Sequence, residues 1–152
     1  RLLSRGLGDV YKRQVYMIGD ERDLIRLRSN YREDDVYMYP IRTTPAGRKA
    51  LFLDVMRRAQ KLASDPEYYH TIFHTCTTVI QDHANAVLED KKVRWSKDIL
   101  LPKYSDTVAY DLGLIDTRLS LEEAREYYLI NGRARQANQS EEFSELIRPE
   151  IR

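Results

Sequence analysis

One long helix is the strongest structural signal in this sequence. The segment "TTPAGRKALFLDVMRRAQKLASDP", residues 43–66, offers Thr44 as a cap and Pro45 at the first helical position, where proline is well tolerated. Apolar residues then recur at helical spacing: Leu51, Val55, Ala59 and Leu62. The pattern predicts a helix that ends before Pro66, with this stripe facing a core. Its basic residues are expected on the solvent face: Arg57, Arg58 and Lys61.

Residues 4–14, "SRGLGDVYKRQ", resemble a translated DNA adapter more than natural protein. Read back into codons, they follow the transposase adapter of sequencing libraries in one open frame. We therefore treat residues 1–14 as a non-native, adapter-derived segment and leave them out of the fold prediction. The natural sequence is expected to begin at Val15. Residues 15–152 are then expected to be the C-terminal part of one domain of a longer protein.

The charge balance changes once that segment is set aside. The whole chain has 25 Lys and Arg residues against 24 Asp and Glu residues. Residues 1–14 hold four of the basic residues and one of the acidic ones, which leaves 21 against 23 and a net charge of −2. The bases alternate with acids, as in "GDERDLIRLRSNYREDD", which is typical of a solvated surface. We therefore expect no nucleic-acid partner.

The remaining length is enough for one domain with a single core. No apolar run approaches the ~20 residues that span a bilayer. We therefore expect any membrane contact to come only from a segment upstream of Val15. The single cysteine excludes an internal disulfide and leaves the redox compartment open. No motif predicts a cofactor.

Two segments near the start of the natural sequence have the pattern of strands. "VYMIG" is short and apolar, and "DDVYMYPIRTT" alternates large side chains up to Pro40. Between them, "DERDLIRLRSNY" has helical propensity with partial alternation, and we assign it to a helix. Together with the helices that follow, these strands predict an α+β fold.

Capping signals mark the later helices. Thr75 can cap a helix over "TCTTVIQDHANAVLED". The predicted buried stripe of that helix is Val79, Ile80, Ala84 and Val87. "YSDTVAYDLGLID" predicts a short helix closed near Gly113, and Ser120 with Glu123 forms a capping box before another helix. A last short helix is expected in "SEEFSELIRPEIR".

The helix capped by Thr75 places Cys76, the only cysteine, in its first turn. A helix N-terminus stabilises a thiolate, and its amides can hold the oxyanion of an acyl intermediate. Thr75, Thr77 and Thr78 add hydroxyls around this position, so we assign them to the helix cap and the oxyanion region. These residues suit a cysteine that accepts an acyl group, provided that a base lies close by.

All three histidines lie near Cys76 in the sequence, but none has convincing geometry for a base. His83 is seven residues further on, on the same face but roughly 10 Å along a regular helix. His74 and His70 precede the cysteine in an extended segment, where contact is conceivable but poorly directed. Two alternatives therefore stay open. Cys76 is a small core residue, or it forms a zinc site with His70 and His74.

Three segments, in their order along the chain, resemble the Lnb N-terminal periplasmic domain family. They are "YMIGDERDLIRLRSNYREDDVYMYPIR", "YYHTIFHTCTTVIQDH" and "GLIDTRLSLEEAREYYLINGRARQANQSEEFSELIR". Members of this family resemble permuted papain-like and NlpC-type thiol enzymes. The resemblance implies an incomplete permuted papain-like (NlpC-type) domain with a helix-rich C-terminal part. It also implies a periplasmic or envelope-associated location.

The family motif around the cysteine implies the site residues. An Asn-Cys-Thr-Thr motif opens the helix in the family, and Cys76, Thr77 and Thr78 fall on its last three positions. Thr75 stands at the asparagine position, where it can cap the helix but supplies no amide donor. His83 falls on a histidine common in one subgroup, so Cys76 and His83 are the predicted catalytic residues. The family's base lies on an early strand upstream of this chain, so we expect the fragment alone to be inactive.

The resemblance implies acyl transfer of the lipoprotein N-acyltransferase kind, with a lipid or lipoprotein as acyl donor and acceptor. A cysteine-dependent hydrolase fits the same residues. The competing hypothesis is a non-catalytic envelope domain, structural or partner-binding, in which Cys76 lies in the core.

Overall fold

The computed structural model describes residues 14–67, 75–88, 92–94 and 104–152, and these residues are mainly helical. The helices are α1 (Glu21–Arg26), α2 (Pro45–Ser64), α3 (Cys76–Val87), α4 (Ser105–Asp111), α5 (Leu121–Tyr128), α6 (Asn131–Gln136) and α7 (Phe143–Leu146). A π-helical turn, Leu27–Tyr31, continues α1. The chain divides into two compact units. Unit 1 comprises Arg1–Tyr16 and Thr43–Leu112, and unit 2 comprises Met17–Arg42 and Gly113–Arg152.

The predicted α+β, permuted papain-like fold is wrong, because the described part of the chain is all-α and contains no strand. The segment "DDVYMYPIRTT" is extended but makes only two isolated antiparallel bridges, Tyr37 with Leu129 and Ile41 with Ile115. Leu129 lies in the two-residue gap between α5 and α6, so the pairing has no room to continue. Pro40, between the two bridges, has no amide hydrogen to donate to a ladder.

Unit 1 contains α2, whose predicted start and length are confirmed. The Thr44 hydroxyl accepts a hydrogen bond from the Gly47 amide at 3.1 Å, and the helix runs to Ser64. α2 packs against α3 within this unit. The predicted buried stripe of α3 is only partly correct, because Val79 is buried whereas Ile80 is 65% exposed.

Unit 2 contains a compact apolar core. Its buried members are Ile130, Ala134, Ala137, Phe143 and Ile147, and Ile25, Val36 and Met38 pack against them. Asn131, at the start of α6, fixes the extended segment to this core. Its side chain donates to the Asp34 carbonyl and accepts from the Val36 amide, each at 2.9 Å. These bonds replace the sheet ladder that the sequence pattern predicts.

The turn after α4 contains a glycine, Gly113, in a backbone conformation that other residues rarely adopt. Gly113 has φ +69°, a left-handed conformation that costs other L-residues about 1 kcal/mol or more. No atom lies within 4 Å of a β-carbon built there, so Gly113→Ala should destabilise the protein by about 1 kcal/mol through the backbone alone.

The matched control is Gly132→Ala inside α6, where a β-carbon also meets no atom within 4 Å. That change should stabilise the protein by roughly 0.5–1 kcal/mol, because alanine favours the helix. Urea unfolding of the two variants measures both effects. A Gly113→Ala variant that is as stable as the wild type, or more stable, would contradict the assignment of Gly113 to a strained turn.

Candidate functional site

Cys76 is the first residue of α3, and its side chain is exposed. The helix begins here because the Thr75 backbone is still extended while the residues that follow are helical. The predicted position of Cys76 in the first turn is therefore confirmed. Its exposure contradicts the alternative in which Cys76 is a core residue.

The three threonines around Cys76 are buried, and two of them, Thr75 and Thr78, cap the helix. The Thr78 amide donates to the Thr75 hydroxyl at 3.2 Å, and the Thr75 amide donates to the Thr78 hydroxyl at 2.9 Å. This reciprocal pair is a capping box, with Thr78 in the place of the usual Glu or Gln. The Thr77 hydroxyl lies 2.9 Å from that of Thr75. These hydroxyls therefore bond with one another and with the backbone.

The backbone at the start of α3 presents further hydrogen-bond donors beside Cys76. The first intrahelical bond runs from the Val79 amide to the Thr75 carbonyl at 3.1 Å, and Thr75 caps the Thr78 amide. The helix itself supplies no acceptor for the amides of Cys76 and Thr77. These two amides can therefore stabilise negative charge next to the sulfur, on the thiolate or on an acyl oxygen.

His83 is buried in α3 and engages partners through both ring nitrogens. Nδ1 lies 2.6 Å from Oδ2 of Asp54 in α2, and Nε2 contacts the hydroxyl of Tyr16. Because a carboxylate only accepts, Nδ1–H donates to Asp54 and Nε2 accepts from the Tyr16 hydroxyl when the imidazole is neutral. Neither nitrogen is directed to Cys76, and the regular helix keeps His83 two turns away from it.

Tyr16 and Asp54 are partners that the sequence analysis did not identify. Burial raises the pKa of the Tyr16 phenol, Arg58 opposes this, and the carboxylate of Asp54 raises the pKa further. Tyr16 therefore remains protonated at neutral pH and serves as a hydrogen-bond donor to His83. The one signal in the sequence is that Asp54 is the sole acidic residue of α2.

Arg58 was predicted to face solvent, and this prediction is wrong. Its side chain is largely buried and donates to Glu67 at 2.8 Å and to Asp82 at 3.5 Å. Lys61 joins the cluster with a 3.2 Å bond to Glu67. Burial alone raises the pKa of Glu67, but the bonds and charges of Lys61 and Arg58 together lower it below its ordinary value. The cluster connects α2 with α3 and with the segment that follows α2.

The predicted zinc alternative involves residues that the structure does not describe. His70 and His74 lie outside the described residues. Among the residues that are described, no group of three or more His, Cys, Asp or Glu side chains could hold a metal ion.

Unit 1 therefore has an exposed thiol at the capped start of a helix and, two turns along the same helix, a buried histidine bonded to the partly exposed Asp54 and Tyr16. The model of the Lnb N-terminal periplasmic domain family matches residues 5–111, and the chain belongs to this family. No curated protein and no solved structure matches the chain. The matched residues include α2, α3 and α4, with Cys76 among them.

The family's description supports a periplasmic, envelope-associated location for this domain. In the described ranges of the chain, no helix is both long enough and apolar enough to cross a membrane.

Proposed function

We propose that this chain is part of a thiol enzyme of the bacterial envelope, with Cys76 as the nucleophile of an acyl transfer. The observation that carries the proposal is the exposed Cys76 sulfur at the first position of α3. A cysteine at this position has the positive end of the helix beside it and two backbone amides that the helix does not use. Membership of the periplasmic domain family supports the envelope location.

The reaction begins when the Cys76 thiolate attacks the carbonyl carbon of an acyl ester. The negative charge moves to the carbonyl oxygen, where the amides of Cys76 and Thr77 can stabilise it. Collapse of the intermediate breaks the ester C–O bond and leaves the acyl group on sulfur as a thioester, and the departing alkoxide takes the proton that the base removed from the thiol and leaves as the alcohol. An amine then attacks the thioester, forms an amide and returns the thiolate. If water attacks instead, the same residues give hydrolysis.

The substrates that fit this proposal are a lipid or lipoprotein acyl donor and an amine acceptor of the lipoprotein type. Each of these rests on the family resemblance. The family resemblance implies that another residue takes the proton of the Cys76 thiol, and His83 is a poor substitute because its ring nitrogens are held by Asp54 and Tyr16. The chain should therefore accept an acyl group once from an activated donor without turning over.

The competing function is a structural or partner-binding envelope domain in which Cys76 has no chemistry. The exposure of Cys76 removes the packing role that this alternative gave it. A capping box at the start of α3 fits both functions, so only the reactivity of the thiol separates them.

Acylation by an activated ester tests the proposal. We expect p-nitrophenyl octanoate at pH 7 to add one octanoyl group to the native chain, observed by intact-protein mass spectrometry, and hydroxylamine to remove it. The rate should exceed that of a peptide spanning residues 72–80 by about fivefold, because a helix N-terminus stabilises an adjacent anion by roughly 1 kcal/mol.

Cys76→Ser is the control for the site of acylation and should give no hydroxylamine-sensitive adduct. Thr75→Ala, which removes the cap, should lower the rate toward that of the peptide. A native chain that reacts no faster than the peptide would refute the nucleophile proposal and favour the structural function.

A further inference from the structure

The outward face of α2 combines exposed apolar residues with positive charge. α2 is 20 residues long, and none of its residues is buried. Its inward side is defined by Asp54, which bonds to His83, and by Arg58, which bonds to Glu67. At 100° per residue, Phe52 and Met56 lie on the opposite side of the helix. Phe52 is 61% exposed, and its neighbour Leu53 is 38% exposed.

The charged residues on this side of α2 are all basic. The one acidic residue of the helix, Asp54, is paired inward with His83. Arg48, Lys49 and Arg57 are exposed. Helical geometry places Lys49 within the apolar strip, with Arg48 and Arg57 on its two edges. We call the surface formed by Arg48, Lys49, Phe52, Leu53, Met56 and Arg57 the outer face of α2.

We propose that the outer face of α2 docks on an anionic phospholipid surface. A helix with an apolar centre and cationic edges binds in the plane of a membrane interface, with its apolar side chains at the acyl boundary. The long Lys and Arg side chains extend to the headgroup phosphates. An apolar protein partner would leave these three cations without counter-charges, whereas an anionic bilayer supplies them over the whole face.

The location of the domain agrees with this partner. The family is periplasmic, and the periplasm is bounded by phospholipid membranes. The proposal assigns a membrane contact to the folded domain itself. It does not depend on the chemistry of Cys76, so acylation and docking can fail separately.

Vesicle sedimentation tests the docking. The probes are vesicles of phosphatidylcholine alone and of phosphatidylcholine with phosphatidylglycerol in equal amounts, at 0.1 M salt. We expect the whole chain to bind the anionic vesicles at least tenfold more tightly than the neutral ones, because each Lys or Arg near the surface contributes about 1 kcal/mol. Raising the salt to 0.5 M should release the chain.

Paired variants locate the contact on α2. Lys49→Glu with Arg57→Glu should weaken binding to anionic vesicles by roughly 30-fold or more. Arg133→Glu with Arg135→Glu, on exposed positions of unit 2, changes the net charge equally and should retain most of the binding. Phe52→Ser should weaken binding by about tenfold. Ile151→Ser, at a residue that is 67% exposed, should not.

Three results would overturn the docking proposal. The first is equal binding to neutral and anionic vesicles, or binding to neither. The second is an equal loss of binding in the unit 2 control and the α2 variant. The third is self-association in analytical ultracentrifugation that Phe52→Ser abolishes without lipid, which would assign the face to a second copy of the chain. The substituted side chains are exposed, so circular dichroism should show the same fold in every variant.

Discussion

His83→Ala is expected to destabilise the protein by about 3 kcal/mol without slowing the acylation of Cys76. The substitution removes a buried side chain and leaves the Asp54 carboxylate and the Tyr16 hydroxyl without their shared partner. A partly buried polar group that loses its partner costs roughly 1–3 kcal/mol, and the lost packing adds to this. Urea unfolding followed by circular dichroism measures the loss.

The acylation rate decides between a structural and a catalytic role for His83. Since its ring nitrogens bond to Asp54 and Tyr16, the thiol of Cys76 should react with p-nitrophenyl octanoate at the wild-type rate while the variant is folded. Ile80→Ala is the matched control on the same helix, because Ile80 is largely exposed and should cost no more than about 0.5 kcal/mol. A tenfold slower acylation in the folded His83→Ala variant would show that His83 acts on the thiol.

The helix starts could be predicted from the sequence because capping is local. Thr44, Thr75 and Ser120 each bond to an amide three residues further along the chain, so the signal for each cap fits in a four-residue window. The same locality explains why the position of Cys76 in the first turn was correct. Gly113 was also predicted as a helix end, since a left-handed residue after a helix favours glycine.

The sequence predicted strands that the described residues do not form, because a strand depends on a partner that its own sequence does not reveal. The alternation of "DDVYMYPIRTT" gives an extended segment, as expected, but pairing requires an equally long neighbour. Residues 129 and 115, which lie opposite, each pair at one position only. A period-2 pattern carries no information about the length of the partner segment. The inference from an extended segment to an α+β fold was therefore wrong.

The polar network of unit 1 was missed because its bonds connect distant parts of the chain. Tyr16 and His83 are 67 residues apart, and Asp54 and His83 are 29 apart. The wrong assignment of Arg58 to solvent has the same origin, since Asp82 is 24 residues away. Sequence analysis assigns a basic residue to the solvent-exposed surface, because basic residues are rarely buried. Only the folded chain shows the carboxylates that allow its burial.

Phe143→Ala is expected to give the largest loss of stability, about 3–5 kcal/mol. Phe143 is 1% exposed in the core of unit 2 and belongs to the same buried cluster as Ile130, Ala134 and Ile147. Removing a fully buried phenyl ring forfeits its burial and leaves a cavity. Leu146→Ala on the same helix is the matched control, because Leu146 is 48% exposed and should cost under about 1 kcal/mol. Urea unfolding compares the two variants.

The loss of ordered structure in Phe143→Ala should be greatest over residues 141–152. α7 has only four residues, which is too short for a helix to be stable alone. The Arg148–Glu21 ion pair, at 2.8 Å, also connects this end to α1, but an exposed pair contributes under about 1 kcal/mol. Burial of Phe143 therefore outweighs the ion pair. Hydrogen exchange over residues 141–152 should lose protection in Phe143→Ala and keep it in Glu21→Gln. The reverse pattern would assign the attachment of this end to the ion pair.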